Sequence, residues 1–428
     1  MKEIIKKIIM EFHERGLPLV ISRDYILPKT DEITVIYGAR RTGKTYILYE
    51  EIQKLVNAGK KKECIFINFE DERLVKLKAE DLNLIFDAYY ELYPNNKDST
   101  LYLFFDEIQE APSWSYFIKR LYEAKKYRIF ITGSSAKLLS NEIATQLRGR
   151  ALANKVLPLS FLEFLRFNKI TPSENIEFSS QAYLIKQKLS EYIELGGFPK
   201  IALINTEKEE LLKNYLDLII YKDLIDRFNI RNRLLLKYLI NYAIINSAKI
   251  ISLNNFFNSL KTEMSVSKDS VFEYFSYLED ISFIFQVPKF SYSLKEQLNS
   301  RKKVFLIDSG FRKISVASNP NDFGKALENA IFLELLRQKK NVFYYSSKNE
   351  CDFLIVEKNK VTECIQVCYS LNEENKKREV NGLIEAMEAF SVTKGLIITF
   401  DHDEKIEVKG RSIYIVSAWK WMIGIDNK

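Results

Sequence analysis

Residues 38–45 read Gly-Ala-Arg-Arg-Thr-Gly-Lys-Thr: two glycines separated by four residues, with a lysine and a threonine directly behind the second. The stretch lies between ITVIY, a β-branched apolar run, and YILYEEIQKLV, whose apolar positions recur at helical spacing. A strand, a glycine turn and a helix in that order leave few folds open. Glycine tolerates backbone angles closed to other residues, so successive N–H groups can turn inward around phosphate oxygens. Gly38 and Gly43 supply that freedom, and Ala39, Arg40, Arg41 and Thr42 supply the main chain between them. Lys44 adds a mobile cation for the β and γ phosphates, and the Thr45 hydroxyl is a ligand for Mg²⁺. The helix that follows, with Tyr46 in its first turn, aims its free N–H groups at the same anion. Only 14 of 428 residues are glycine, so this pattern seldom arises by chance.

Three more strand-like runs follow, CIFINF (64–69), LYLFF (101–105) and RIFIT (128–132), each separated by helical stretches. LYLFF is apolar throughout, as a strand covered on both faces should be. This alternation predicts an α/β fold with a doubly wound parallel sheet, in which ligands bind beyond the carboxyl ends of the strands. Asp106, directly after LYLFF, is placed to hold Mg²⁺, and Glu107 beside it to orient and deprotonate an attacking water. Thr132, Ser134 and Ser135, at the end of the last run, are placed to sense the γ-phosphate or to cap the next helix. Arg148 and Arg150 flank a glycine just beyond the sheet. They read either as surface salt-bridge partners or as a finger reaching a neighbouring copy's γ-phosphate, which would make the protein a homo-oligomer.

The runs GARRTGKT, INFEDERL, LFFDEIQ, ITGSSAKLL and LRGR together resemble an AAA-type P-loop NTPase of the additional-strand-plus-catalytic-glutamate class. More narrowly, they resemble a family of archaeal and bacterial ATPases that carry a winged helix and a nuclease-like C-terminal domain. The resemblance covers nearly the whole chain. It implies ATP as the nucleotide and Mg²⁺ as the metal. Asp71, Glu72 and Arg73 match the family's segment after the second strand, without a role attached.

The expected organisation is a P-loop domain over 1–165, a helical lid over 166–232, a winged helix over 233–310 and a nuclease-like α/β domain over 311–428. Within the lid, LGGFP (195–199) ends one helix and redirects the chain. In the winged helix, the third helix carries Asp269, Glu273, Glu279 and Asp280, which would repel phosphates. Lys295, Arg301, Lys302 and Lys303 form a basic wing, so DNA would be touched through its backbone rather than its bases. The last domain resembles a PD-(D/E)XK nuclease core, with Glu328 and Asp352 in the acid positions. The acid and lysine expected on the next strand fall on Gln366 and Cys368, poor substitutes at a magnesium site, so nuclease chemistry is expected to be absent.

Composition narrows the rest. Net charge is +7, from 64 basic and 57 acidic residues, which permits nucleic-acid binding without demanding it. No apolar run reaches the roughly 18 residues of a membrane span. The opening MKEIIKKIIMEFHERG reads as an amphipathic helix packed on the first domain, so a cytoplasmic protein with no membrane partner is expected. Cys364 and Cys368, on a strand, would stand about 13 Å apart. The only histidines are His13 and His402, so zinc is not expected and the four cysteines read as buried thiols. The leading reading of the output is that nucleotide state moves the lid and winged helix, with DNA as the partner; the alternative is a signalling switch whose partner is another protein. An ATP-dependent nuclease ranks below both.

Overall fold

A computed structural model describes residues 1–28, 30–133, 147, 149–173, 176–315 and 323–425. The chain divides into two compact units, Met1–Val156 and Leu157–Lys428.

In the first unit, five parallel strands stand in the order β2-β3-β4-β1-β5. They are β1 (Ile33–Tyr37), β2 (Cys64–Asn68), β3 (Leu101–Asp106), β4 (Tyr127–Gly133) and β5 (Ala151–Lys155). This is the P-loop NTPase sheet, with β4 inserted between the strand that precedes the glycine loop and the strand that ends in Asp106. Side chains alternate across each strand. Phe104 therefore joins Ile36, Ile47, Leu48 and Val156 on one face, while Leu103 and Phe105 join Ile33, Ile65 and Ile118 on the other. Helix α1 (Lys2–Glu14) buries Ile5, Ile8 and Ile9, spaced to share one face, in that second core. Helix α2 (Lys44–Asn57) covers the first face, and α3 (Leu84–Leu92) and α4 (Trp114–Glu123) the second.

Strand β5 is an addition to the sequence expectation, which named four strands and placed Arg148 and Arg150 just beyond the sheet. Its residues, ALANK, lack β-branched or aromatic side chains, so propensity does not mark it. Pairing with β1, from Ile33 with Ala151 to Tyr37 with Lys155, makes it a strand.

The second unit begins with α5 (Phe161–Phe167), closed by a capping box between Ser160 and Glu163, and α6 (Ser180–Leu195). Helices α7 (Lys208–Leu218), α8 (Arg233–Ile245), α9 (Leu253–Leu260) and α10 (Lys268–Asp280) follow. Interleaved with them is an antiparallel three-stranded sheet ordered β6-β8-β7, from β6 (Lys249–Ile251), β7 (Ile284–Pro288) and β8 (Lys302–Leu306). Helix α11 (Phe323–Arg337) leads into a mixed six-stranded sheet, order β13-β14-β12-β11-β10-β9. Its strands are β9 (Val342–Ser346), β10 (Glu350–Glu357), β11 (Lys360–Val367), β12 (Lys394–Thr399), β13 (Glu404–Val408) and β14 (Arg411–Ser417). One core runs through the unit: Phe164 and Ile185 of α5 and α6 pack with Phe305 of β8, Ile331 and Phe332 of α11, Phe353 of β10, Ile365 of β11 and Trp419. Helix α12 (Glu373–Ala389) covers the other face of the large sheet through Leu383 and Met387. All four cysteines are buried free thiols, as their spacing implied.

The LGGFP turn ends α6 as expected, for a reason outside the turn itself. Asp308 is buried, its Oδ2 accepting from Gly197 N and its Oδ1 from Gly310 N, each at 2.8 Å. Burial pushes this carboxyl up to about 7. Gly196 lies in the left-handed region at φ +82°, and a Cβ there would meet Asp308 Oδ1 at 1.5 Å. Gly196→Ala is therefore expected to destabilise the second unit by about 3 kcal/mol or more, read as a lowered urea midpoint at unchanged slope.

Candidate nucleotide-binding site

Gly38 leaves β1 at φ +155°, and a Cβ on it would stand 2.3 Å from the carbonyl oxygen of Val156. That neighbour is fixed, because Val156 N donates to Tyr37 O at 2.7 Å. Strand β5 thus supports the loop from the side, and only glycine fits against it. Arg41 and Gly43 both turn through left-handed angles, φ 68° and 95°, and reverse the chain into α2. Inside the bend, Thr42 Oγ1 donates to Ala39 O at 2.9 Å. Arg23, in the segment ahead of β1, is buried and donates through Nη1 to Thr42 O at 2.9 Å. The sequence reading missed it because its partner is a main-chain carbonyl, which carries no residue code.

Lys44 is buried under the loop, its Nζ 3.2 Å from Gly38 O, 3.1 Å from Ala39 O and 3.6 Å from Glu107 Oε1. Thr45 Oγ1 donates to Asp106 Oδ2 at 2.9 Å, and Thr132 Oγ1 donates to Asp106 Oδ1 at 2.5 Å. Burial pushes the Asp106 carboxyl up to about 6, with the Thr132 hydrogen bond acting against that rise. Thr132 Oγ1 also accepts from Glu107 N at 2.9 Å. That bond anchors Glu107, which turns through φ 49° and accepts from Gln109 Nε2 at 2.6 Å. Residues from the ends of β1, β3 and β4 and the start of α2 thereby converge on one spot. Thr132 joins the Asp106 carboxylate to the main chain of Glu107, a more definite place than the sequence assigned it.

These groups fit a magnesium nucleotide. The glycine cradle would be filled by any Cβ, the cation beneath it is shielded from water, and Thr45 and Asp106 present hard oxygen donors side by side. Among the described residues no group of three or more His, Cys, Asp or Glu is arranged to hold a metal. A Mg²⁺ that keeps its waters and leans on substrate phosphates needs no such cage.

Other singled-out residues sit elsewhere. Arg40 pairs with Glu70 at 2.8 Å, Arg41 is exposed, and Tyr46 is half exposed with its ring edge-on to Tyr49. Arg73 bonds to Asp71 and, at 2.9 Å, to Glu11, tying the segment after β2 to α1. Arg150 precedes β5 and pairs with Glu123 at 2.9 Å. It stands at the end of the sheet opposite the loop, about 20 Å away along the strands, so it does not serve its own chain's site. Ser134, Ser135 and Arg148 lie outside the described residues.

In the second unit the sequence assignment of Lys303 to an exposed basic wing is corrected. Adjacent residues on a strand point to opposite faces: Lys302 is partly exposed, and Lys303 is fully buried. Its Nζ lies 2.6 Å from Glu328 Oε1, 2.8 Å from Glu350 Oε1 and 2.7 Å from Asp352 Oδ1. Gln366 Oε1 accepts from Asp352 N at 3.2 Å, and its Nε2 donates to the buried Glu379 at 2.6 Å. Cys368 is buried, and burial pushes its thiol up to about 12.

Fold and loop together define a P-loop NTPase domain, and residues 30–165 match the AAA domain model AAA_14. Residues 186–320 match a domain of unknown function, DUF8612. The chain belongs to the family of the uncharacterized protein MJ1544 of Methanocaldococcus jannaschii, with which it is 42% identical over 421 residues, 94% of this chain and 91% of that one. An uncharacterized protein of Haemophilus influenzae is 29% identical over 395 residues, 91% of this chain and 94% of its own. Among solved structures, the Walker-type ATPase paby2304 of Pyrococcus abyssi is similar with a TM-score of 0.42 and 15% identity, over 73% of this chain and 95% of that chain.

Proposed function

We propose that this chain binds ATP with Mg²⁺ at the 38–45 loop and hydrolyses it to ADP and phosphate. The observation that carries the reading is the joined set Lys44, Thr45, Asp106, Glu107 and Thr132. The loop amides and Lys44 bind the phosphates, and the charge of Lys44 offsets negative charge that grows on the γ-phosphate oxygens. Glu107 accepts the proton of the attacking water while Thr132 and Gln109 hold it in place. Thr45 and Asp106 would hold Mg²⁺, which supplies further charge neutralisation when bound. An arginine finger from a second copy, Arg148 or Arg150, extends the proposal to a homo-oligomer.

The output partner is read from residues 233–310, where α8, α9 and α10, a small antiparallel sheet and a short helix at Leu294–Asn299 in the connection between β7 and β8 support a winged-helix assignment. With Lys303 buried, the exposed cations of the wing reduce to Lys295 and Arg301, beside a partly exposed Lys302. Asp269, Glu273 and Glu279 of α10 are exposed. This charge balance favours a protein partner over DNA backbone and moves the signalling switch ahead of a DNA motor.

Phosphate release from the purified chain with ATP and Mg²⁺ tests the activity. Lys44→Ala is expected to weaken nucleotide binding about 10- to 100-fold and to remove turnover. A folded protein that takes up no nucleotide with Mg²⁺ would overturn the reading. Turnover stimulated by added DNA would reverse the choice of partner.

A further inference from the structure

The second unit holds a cavity of about 590 Å³ lined by Glu328, Glu350, Asp352, Gln366 and Glu379, among others. Acids grouped in this way would ordinarily suggest a divalent-cation centre, and the nuclease-like resemblance of the segment implies one. The arrangement does not fit a metal. Lys303, carried on β8 of the small sheet, places its ammonium within 2.8 Å of carboxylate oxygens from α11 and β10. Both oxygens of Asp352 are engaged, Oδ1 by Lys303 and Oδ2 by Val367 N at 2.9 Å. Both oxygens of Glu328 also face cations, Oε1 facing Lys303 and Oε2 accepting from Lys325 at 2.8 Å. A divalent ion entering here would meet a buried like charge at contact distance, with both oxygens of Asp352 already hydrogen-bonded and both of Glu328 facing ammonium groups.

We infer that Lys303 is the resident cation of this acid site, standing in the place of a divalent metal and excluding one. The same contact fastens the small sheet to the large one, since the ammonium and its three acids come from three separate elements. Breaking it leaves the buried acids Glu328 and Asp352 with Lys325 alone as counter-charge, and removing one partner of a buried ion pair is the costly way to lose it. Burial alone would lower the Lys303 ammonium, but Asp352, Glu328 and Glu350 hold it well above its ordinary value, so the charge is present throughout the neutral range.

The test is Mn²⁺ binding by calorimetry to the nucleotide-free full chain, comparing wild type, Asp352→Asn, Lys303→Met and the double variant Lys303→Met/Asp352→Asn. Wild type and Asp352→Asn are expected to bind Mn²⁺ alike, because the acid site admits none. Lys303→Met is expected to gain one site, about ten-fold or more tighter than any binding left in the double variant, and to recover thermal stability as Mn²⁺ is added. Wild-type Mn²⁺ binding that Asp352→Asn abolishes would overturn the inference, and this comparison does not depend on the lysine variant folding. A folded Lys303→Met that gains no site would overturn it as well. Should that variant not fold, Lys303→Met/Glu350→Gln removes one charge of each sign and tests the remaining Glu328–Asp352 pair by the same criterion.

Discussion

Glu107→Gln is expected to bind ATP as tightly as the parent and to turn it over about 100- to 10,000-fold more slowly, the range for losing a positioned base. The substitution keeps the size of the side chain and an oxygen that can accept from Gln109. The backbone bond from residue 107 to Thr132 is unaffected by it, so the left-handed turn at this position should persist. What disappears is the basic oxygen 3.6 Å from Lys44. The effect should therefore fall on kcat with KM little changed, and single-turnover phosphate release would show it directly. Unaltered turnover would place the base elsewhere and leave Glu107 a structural acid.

Gly38→Ala is expected to abolish nucleotide binding while leaving most of the fold intact. The added Cβ would sit 2.3 Å from Val156 O, against main chain rather than a flexible side chain. Val156 N is bonded to Tyr37 O, so the obstacle cannot withdraw without opening the β1–β5 edge. The strain, about 3 kcal/mol or more, falls on the cradle and lowers the melting temperature of the first unit. Gly16→Ala is the control, because a Cβ there meets nothing within 4 Å. Equal nucleotide affinity in both variants would show that the approach of Val156 does not shape the loop.

The first unit was readable in the sequence where its signals are local. A glycine loop between a strand and a helix, and acids directly after an apolar run, are short-range patterns, and the sheet order brings their ends together. What escaped reading depends on partners distant in the chain. Strand β5 has a composition that suits no strand and exists through its pairing with β1. Arg23 meets a carbonyl 19 residues away. Lys303 stood next to Lys302 in a run that looked uniformly basic, although strand alternation alone separates the two. Gln366 and Cys368 stand where the nuclease-like resemblance expects an acid and a lysine. Gln366 is bonded to Glu379 of α12, and Lys303 reaches Asp352 from the small sheet, links that no spacing rule in the sequence could connect.

The core that joins Phe164 and Ile185 to Phe353 and Trp419 bears on how such a chain can be shortened. A fragment ending before the large sheet would leave the inner faces of α5 and α6 wet, and a fragment starting at that sheet would lose half its own cover. From Leu157 onward the polypeptide is thus expected to fold as one piece, and a fragment of it should expose apolar surface and aggregate rather than act as a working module.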